Sequence, residues 1–208
     1  MAYSLKLITP PAIEPVSLDD VKLHTRINYD VEDDILAVWI KTAREMAEMF
    51  QRRAYIAQLW EISFDSFPNM PLKLPRSPLI SLQSIKIYDY EDTETVLYDE
   101  NNDPITTTTT EGIVEPSTNS QFVVDIDSEP GRIGFAYNQI WPAVTLRAVN
   151  SVKIRFAAGY GLSASSVPAA VKDAIMLYCA YRNENRAGEE KAVPEQFYNL
   201  LAPDRLYL

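Results

Sequence analysis

Nine carboxylates crowd the stretch from Ile87 to Glu115, where Asp89, Glu91, Asp92, Glu94, Asp99, Glu100, Asp103, Glu111 and Glu115 stand with no lysine or arginine among them. Two carboxyls about 5 to 10 Å apart across a cleft can serve a hydrolase as acid and base, or as acid and nucleophile, on a glycosidic bond. Tyr88, Tyr90 and Tyr98 would supply the aromatic walls of such a cleft. Spacing along the chain brings no particular pair to that distance, and the plainer reading of the cluster is a solvated, strongly negative surface.

Other chemistry has fewer parts. His24 is the only histidine, so a Ser-His-Asp triad, a multi-histidine metal site or a zinc finger would have to be built around one imidazole. Its position near the end of a short helix suits packing or capping. Cys179, the only cysteine, lies on an apolar helical stripe with Arg182 one turn on, and no basic partner for a thiolate is identifiable. Asp125-Ile126-Asp127-Ser128-Glu129 starts like a calcium loop, but Pro130 occupies the glycine position and Ala136 replaces the bidentate glutamate. Glu129-Pro130-Gly131 therefore reads as a hairpin turn. Gly159-Tyr160-Gly161 lacks both the third glycine of a dinucleotide loop and a following Lys-Ser/Thr pair, and reads as a turn leaving a sheet. No catalytic, cofactor-binding or metal-ligating residue is assigned, and no cofactor is expected.

The bulk properties narrow the function class further. The chain has 208 residues, 47% of them apolar and 23% charged, which fits one globular domain or one domain with a large insertion. A net charge of -10 repels phosphate backbones, so sequence-specific nucleic-acid binding by a monomer is not expected. A single cysteine and an N-terminus without an apolar leader point to folding in a reducing cytoplasm. No long apolar run suggests a membrane partner.

The elements that must position these residues can be read from periodicity. After a Pro-rich extended leader, Ser17 with Asp19 and Asp20 marks a helix start running to about Thr25. Acids at Asp30, Glu32, Asp33 and Asp34 open a second helix to Arg52 and Arg53. Its stripe Ile35, Leu36, Trp39, Ala43, Met46, Ala47 and Phe50 predicts a core-facing side. From Tyr55 the period changes to two: Trp60, Ile62 and Phe64 alternate with Glu61, Ser63 and Asp65, predicting a strand with one wet face. Further strands are expected at 72–74, 84–90, 95–98, 121–126, 132–137 and 151–157. The polar stretch 101–120, with its Thr106–Thr110 run, reads as a projecting arm or loop. Helix returns after Pro168 and ends near Arg186. A last short helix from Pro194 carries Phe197, Leu200 and Leu201 and stops at Pro203. The expected fold is α+β: a helical core of two N-terminal and two C-terminal helices (1–54 and 163–208) interrupted by a large antiparallel β-rich insertion (55–162).

Three blocks resemble a known family. The stretch PVSLDDVKLHTRINYDVEDDILAVWIKTAREMAEMFQRRAYIAQLWE (15–61), the block NSVKIRFAAGYG (150–161) and VPAAVKDAIMLYCAYRNENR (167–186) are similar to head-tail connector (head-completion adaptor) proteins of tailed double-stranded DNA phages. PGRI (130–133) and Trp141-Pro142 are similar to the larger members with a β insertion. The resemblance implies a non-enzymatic virion protein, assembled in the host bacterial cytoplasm. It implies a ring of about twelve subunits under the portal protein that continues the DNA channel toward a tail-side completion protein. Double-stranded DNA would pass through without sequence-specific binding, and Glu91, Asp92 and Glu94 become candidate channel-facing acids, because a negative wall offers little counterion-release affinity. Phe197, Leu200, Leu201, Arg182 and Arg186 are candidate portal or subunit contacts, with the C-terminal segment expected to order on assembly. The competing readings are a β-rich tail or receptor-binding component and, less favoured, the carboxylate hydrolase.

Overall fold

The structure is a computed structural model that describes residues 3–99, 121–186 and 193–207. The expected arm at 101–120, including Thr106–Thr110, lies outside the described residues. The chain divides into two compact units: Pro11–Ala57 with Gly159–Tyr207, and Met1–Pro10 with Gln58–Ala158. Together they hold four α-helices and two antiparallel sheets among the described residues, an α+β fold.

The first unit is helical. α1 (Leu18–Thr25) opens on a capping box in which the Ser17 hydroxyl accepts from the Asp20 amide while Asp20 reaches back to the Ser17 amide, satisfying two otherwise orphaned donors. α2 spans Asp33–Gln51, so it starts three residues after Asp30. Asp30 is drawn away instead: its carboxylate pairs with Lys22 Nζ at 2.5 Å, and Lys22 also holds Asp33 at 2.8 Å, tying the α1–α2 turn together. α3 (Ala169–Glu184) and α4 (Glu195–Leu201) follow as expected, with Pro203 ending the α-helix inside a 3-10 turn, Ala202–Asp204.

These helices close on one core. Leu36, Trp39, Ile40, Ala43 and Ala47 of α2 meet Val171, Ala174, Ile175, Tyr178 and Cys179 of α3, and Phe197 and Leu201 of α4 fill the remaining side. Each large side chain buried there contributes about 1.5–3 kcal/mol, while Ala43, Ala47 and Ala174 let the helices approach closely. Gly159 leads the chain back into this unit at φ +145°, where a Cβ would lie 2.7 Å from the backbone of Ile56 and Ala57. Gly159→Ala is therefore expected to cost about 1–3 kcal/mol or more, measured as a lowered urea midpoint; an unchanged midpoint would contradict the placement.

The second unit is β. Its five-stranded sheet has the order β1-β2-β8-β4-β5, formed by β1 (Ser4–Thr9), β2 (Gln58–Phe64), β8 (Val152–Ala158), β4 (Leu79–Tyr88) and β5 (Glu94–Asp99). Across its interior Ile62 faces Ile154, which faces Ile85, and Trp60 faces Phe156, which faces Leu82. Two features depart from expectation. The leader contributes an edge strand, and the second face of β2 is not wet, because Glu61 is buried under an ion pair with Arg155 on β8 at 2.6 Å. A smaller sheet, β3 (Leu72–Lys73), β7 (Arg132–Phe135) and β6 (Phe122–Asp125), carries an aromatic cluster of Phe122, Phe135, Phe67 and Trp141, with the Trp141 indole donating to the Pro68 carbonyl at 2.9 Å. Gly131 is needed at its entry because a Cβ there would stand 2.4 Å from Leu79 Cβ.

Candidate functional site

The acidic run folds at its start into a hairpin, and the fold supplies the cations that the run itself lacks. Asp89 shapes the β4–β5 turn by accepting the amides of Glu91 (3.0 Å) and Thr93 (2.8 Å). Asp92 pairs with Arg147 at 2.5 Å, whose guanidinium also covers the Tyr88 ring. Glu94 takes Lys86 Nζ at 2.5 Å and the Tyr88 hydroxyl at 2.6 Å. The Lys86 contact, followed by the Tyr88 hydrogen bond, holds the Glu94 carboxyl below its usual range, and burial together with Glu94 pushes Tyr88 up to about 12. Glu91 accepts the Tyr90 hydroxyl and is exposed. The negative run is thus partly compensated at 89–94: Lys86, just before it on β4, and Arg147, from a loop far along the chain, pair with Glu94 and Asp92. Glu100, Asp103, Glu111, Glu115 and the Asp99 side chain lie outside the described residues.

Elsewhere the chemistry stays structural. Burial pushes the Cys179 thiol up to about 12, the opposite of an activated nucleophile. Asp125 closes the β6–β7 hairpin through Ser128 and Arg132, contacts that hold its carboxyl down at about 2. Gly159 and Gly161 form the exit from β8, with Ala57 donating to the Gly161 carbonyl at 2.9 Å. Among the described residues no group of three or more His, Cys, Asp or Glu side chains could hold a metal ion, and no helix is long and apolar enough to cross a membrane.

The candidate contact residues divide. Phe197 and Leu201 are fully buried in the helical core, with the Phe197 ring 5.8 Å from Tyr178, while Leu200 is half-buried beside them. This helix thus has a docking site within its own chain. Arg186 pairs with Glu32, and Arg182 lies half-exposed over Trp39.

Two surface features of the helical unit were not anticipated. Beside its core stripe α2 exposes further apolar side chains: Ile35, Val38 and Met49 are 46%, 60% and 74% exposed and, with Thr42 and Glu45, recur at helical spacing along one line. Ile35 therefore belongs to this outer ridge and not to the core stripe. Arg182 sits at its edge, beside a hollow that also touches Val38 and Tyr178. The second feature is an open groove of about 670 Å³ between α1 and α3, floored by Val16 and Met176 and rimmed by Leu23, His24 and Lys172. Its two carboxylates are occupied, Glu14 by Arg44 at 2.8 Å and Asp20 by the capping box, so the groove offers no free acid–base pair. The lone histidine is thus a groove residue. The signal that could have found the ridge is the pair Val38 and Met49, which the core stripe leaves over.

A model of the family described as phage gp6-like head-tail connector proteins matches residues 15–116, a span that includes α1, α2 and the acidic hairpin. The chain belongs to that connector family. Solved structures resemble the connector over nearly its whole length. A chain of the virion of a native gene transfer agent particle has a TM-score of 0.74 at 18% identity, covering 98% of this chain and 96% of that one. A chain from the neck of an empty particle of the same kind, computed with C6 symmetry, has a TM-score of 0.74 at 18% identity, with 99% and 96% covered. A chain from the neck of the native particle, computed with C12 symmetry, has a TM-score of 0.65 at the same identity and coverage. At this identity the likeness establishes a shared fold. The comparison with curated proteins returned no match.

Proposed function

We propose that this connector works as a non-enzymatic ring subunit: about twelve copies dock beneath the portal protein and continue its DNA channel to a tail-side completion protein. The observation that carries the reading is the family match joined to a fold shared, over 99% of the chain, with chains from particle necks computed with six- and twelve-fold symmetry. The engagement of its groove carboxylates and the inert Cys179 favour a structural role over hydrolysis. The subunit folds in the host cytoplasm and ends in the virion. On this reading the half-exposed Arg182 is a candidate subunit contact, while Phe197 and Leu201 act from within, holding α4 in place.

The functional test is complementation. Heads assembled without the connector are expected to carry a portal, leak packaged DNA and lack tails, and adding purified connector is expected to restore tail attachment. Tailed, DNA-retaining particles formed in its absence would overturn the reading.

The acidic hairpin is assigned to the DNA path on the same reading. Replacing Glu91, Asp92 and Glu94 with Lys removes exposed ion pairs worth about 1 kcal/mol or less each, so folding is expected to survive. Assembled particles are expected to hold or eject DNA abnormally at low salt and to recover at high salt, where screening is strong. Normal ejection at every ionic strength would place the hairpin away from the channel.

A further inference from the structure

The outer ridge of α2 and the α1–α3 groove are two mainly apolar surfaces of one unit, and no described residue covers either. Exposed apolar side chains lined up along a helix beside its core stripe are a surface that a partner can bury. We infer that these two surfaces are the two halves of one interface: the α2 ridge of each subunit, carrying Ile35, Val38 and Met49, seats in the α1–α3 groove of the next copy of this chain. The inference rests on the ring reading and names the surfaces that would build the ring.

Three observations favour a second copy as the occupant. A closed ring of identical subunits is heterologous, so each copy must present two different and complementary patches. This unit presents two different ones, the exposed apolar line of α2 and the α1–α3 groove, while a two-fold dimer would need one self-complementary patch. The solved structures that share the fold come from necks computed with C6 and C12 symmetry, arrangements in which a head-to-tail contact repeats. Charge also matches: Lys172 at the groove and Asp34 in the first turn of α2 have no ion-pair partner among the described residues, and their signs are opposite. Such a pair at the rim would steer the approach and set the register, with the apolar ridge supplying most of the affinity.

The test uses the full-length connector, alone at high concentration and with portal rings. Val38→Asp on the ridge and Leu23→Asp in the groove are surface changes that should leave the far-UV spectrum and thermal midpoint intact. Each would put an unpaired charge into the contact and is expected to raise the concentration needed for ring assembly by roughly 30-fold or more. Covalent trapping then reads the pairing directly. With Val38→Cys and Leu23→Cys in the same chain, a short bis-maleimide linker is expected to give a ladder of multimers, whereas either change alone gives none. The native Cys179 is buried and stays silent. Wild-type rings that form while both Asp variants assemble normally would overturn this interface and leave the ring reading standing, and so would rings whose Asp variants lose only portal attachment. Dimers from Val38→Cys alone would overturn it in favour of a back-to-back contact. A wild-type connector that forms no ring with or without portal would remove the ring reading and this inference together.

Discussion

Phe197→Ala is expected to destabilise the connector by about 3–5 kcal/mol, lowering its thermal midpoint by roughly 10 °C or more. The side chain is fully buried and in ring contact with Tyr178 and Tyr198, so its loss leaves a cavity in the helical core. The same segment is sewn to the end of α2 by polar bonds. Gln51 Nε2 donates to the Leu201 carbonyl at 2.7 Å, Arg53 Nε donates to the Asp204 carbonyl at 2.7 Å, and the Leu206 amide donates to the Gln51 carbonyl at 3.0 Å. Deleting residues 193–208 removes both the packing and these partners, leaving buried donors unsatisfied. The deletion is expected to prevent cooperative folding of the helical unit, seen as lost near-UV circular dichroism. A truncated chain that folds with an unchanged midpoint would instead make the segment a docking arm for another protein.

Glu48→Ala is expected to cost a comparable amount, about 3–5 kcal/mol. Glu48 lies in the interior with one carboxylate oxygen on Arg44 Nη1 at 2.9 Å and the other on the Tyr55 amide at 2.9 Å. The Arg44 side chain is only 4% exposed and keeps just one other close contact with a carboxylate away from its exposed neighbour Glu45, the bond from Nε to Glu14 at 2.8 Å. Removing Glu48 takes from the buried guanidinium one of its two close carboxylates and leaves the Tyr55 amide without its acceptor. The double change Arg44→Met with Glu48→Leu removes both charges and is expected to be milder than the single one, because the desolvation cost vanishes with the pair. Chemical denaturation of the three proteins checks this. A single variant losing less than about 1 kcal/mol, or a double variant losing more than the single, would show that the network is not the tie between α2 and the chain that follows it.

The parts of the fold carried by local physics were legible in the sequence. Ser17 and Asp20 set the start of α1 through bonds within four residues, and the core stripe of α2 follows from periodicity alone. What escaped depends on partners far along the chain. Ser4–Thr9 carries only a short alternation, Leu5 and Leu7 about Lys6, in a leader rich in proline, and it becomes a strand by pairing with β2, some fifty residues on. β4 begins five residues earlier than its alternation suggests, since irregular register at Leu79–Ser81 and Leu82–Ser84 breaks the period of two. The acidic hairpin looked unbalanced because Lys86 stands just before the segment and meets Glu94 only across the hairpin, while Arg147 reaches Asp92 from a loop fifty-five residues on. Periodicity also could not separate the core stripe of α2 from the exposed apolar line beside it. Ile35, adjacent to the core stripe, was absorbed into it, and Val38 and Met49 were left without a role.

The helical capping box, the α2–α3 core and the docked α4 all serve one end, a rigid unit whose outer surfaces can repeat around an axis. The most direct measurement is electron microscopy of the purified connector, alone at high concentration and mixed with portal rings, with class averages examined for rotational symmetry. Closed rings of about twelve subunits, seated on one face of the portal with an open central channel, are the predicted result. A connector that remains monomeric in both conditions, or that forms only two-fold dimers, would contradict the account.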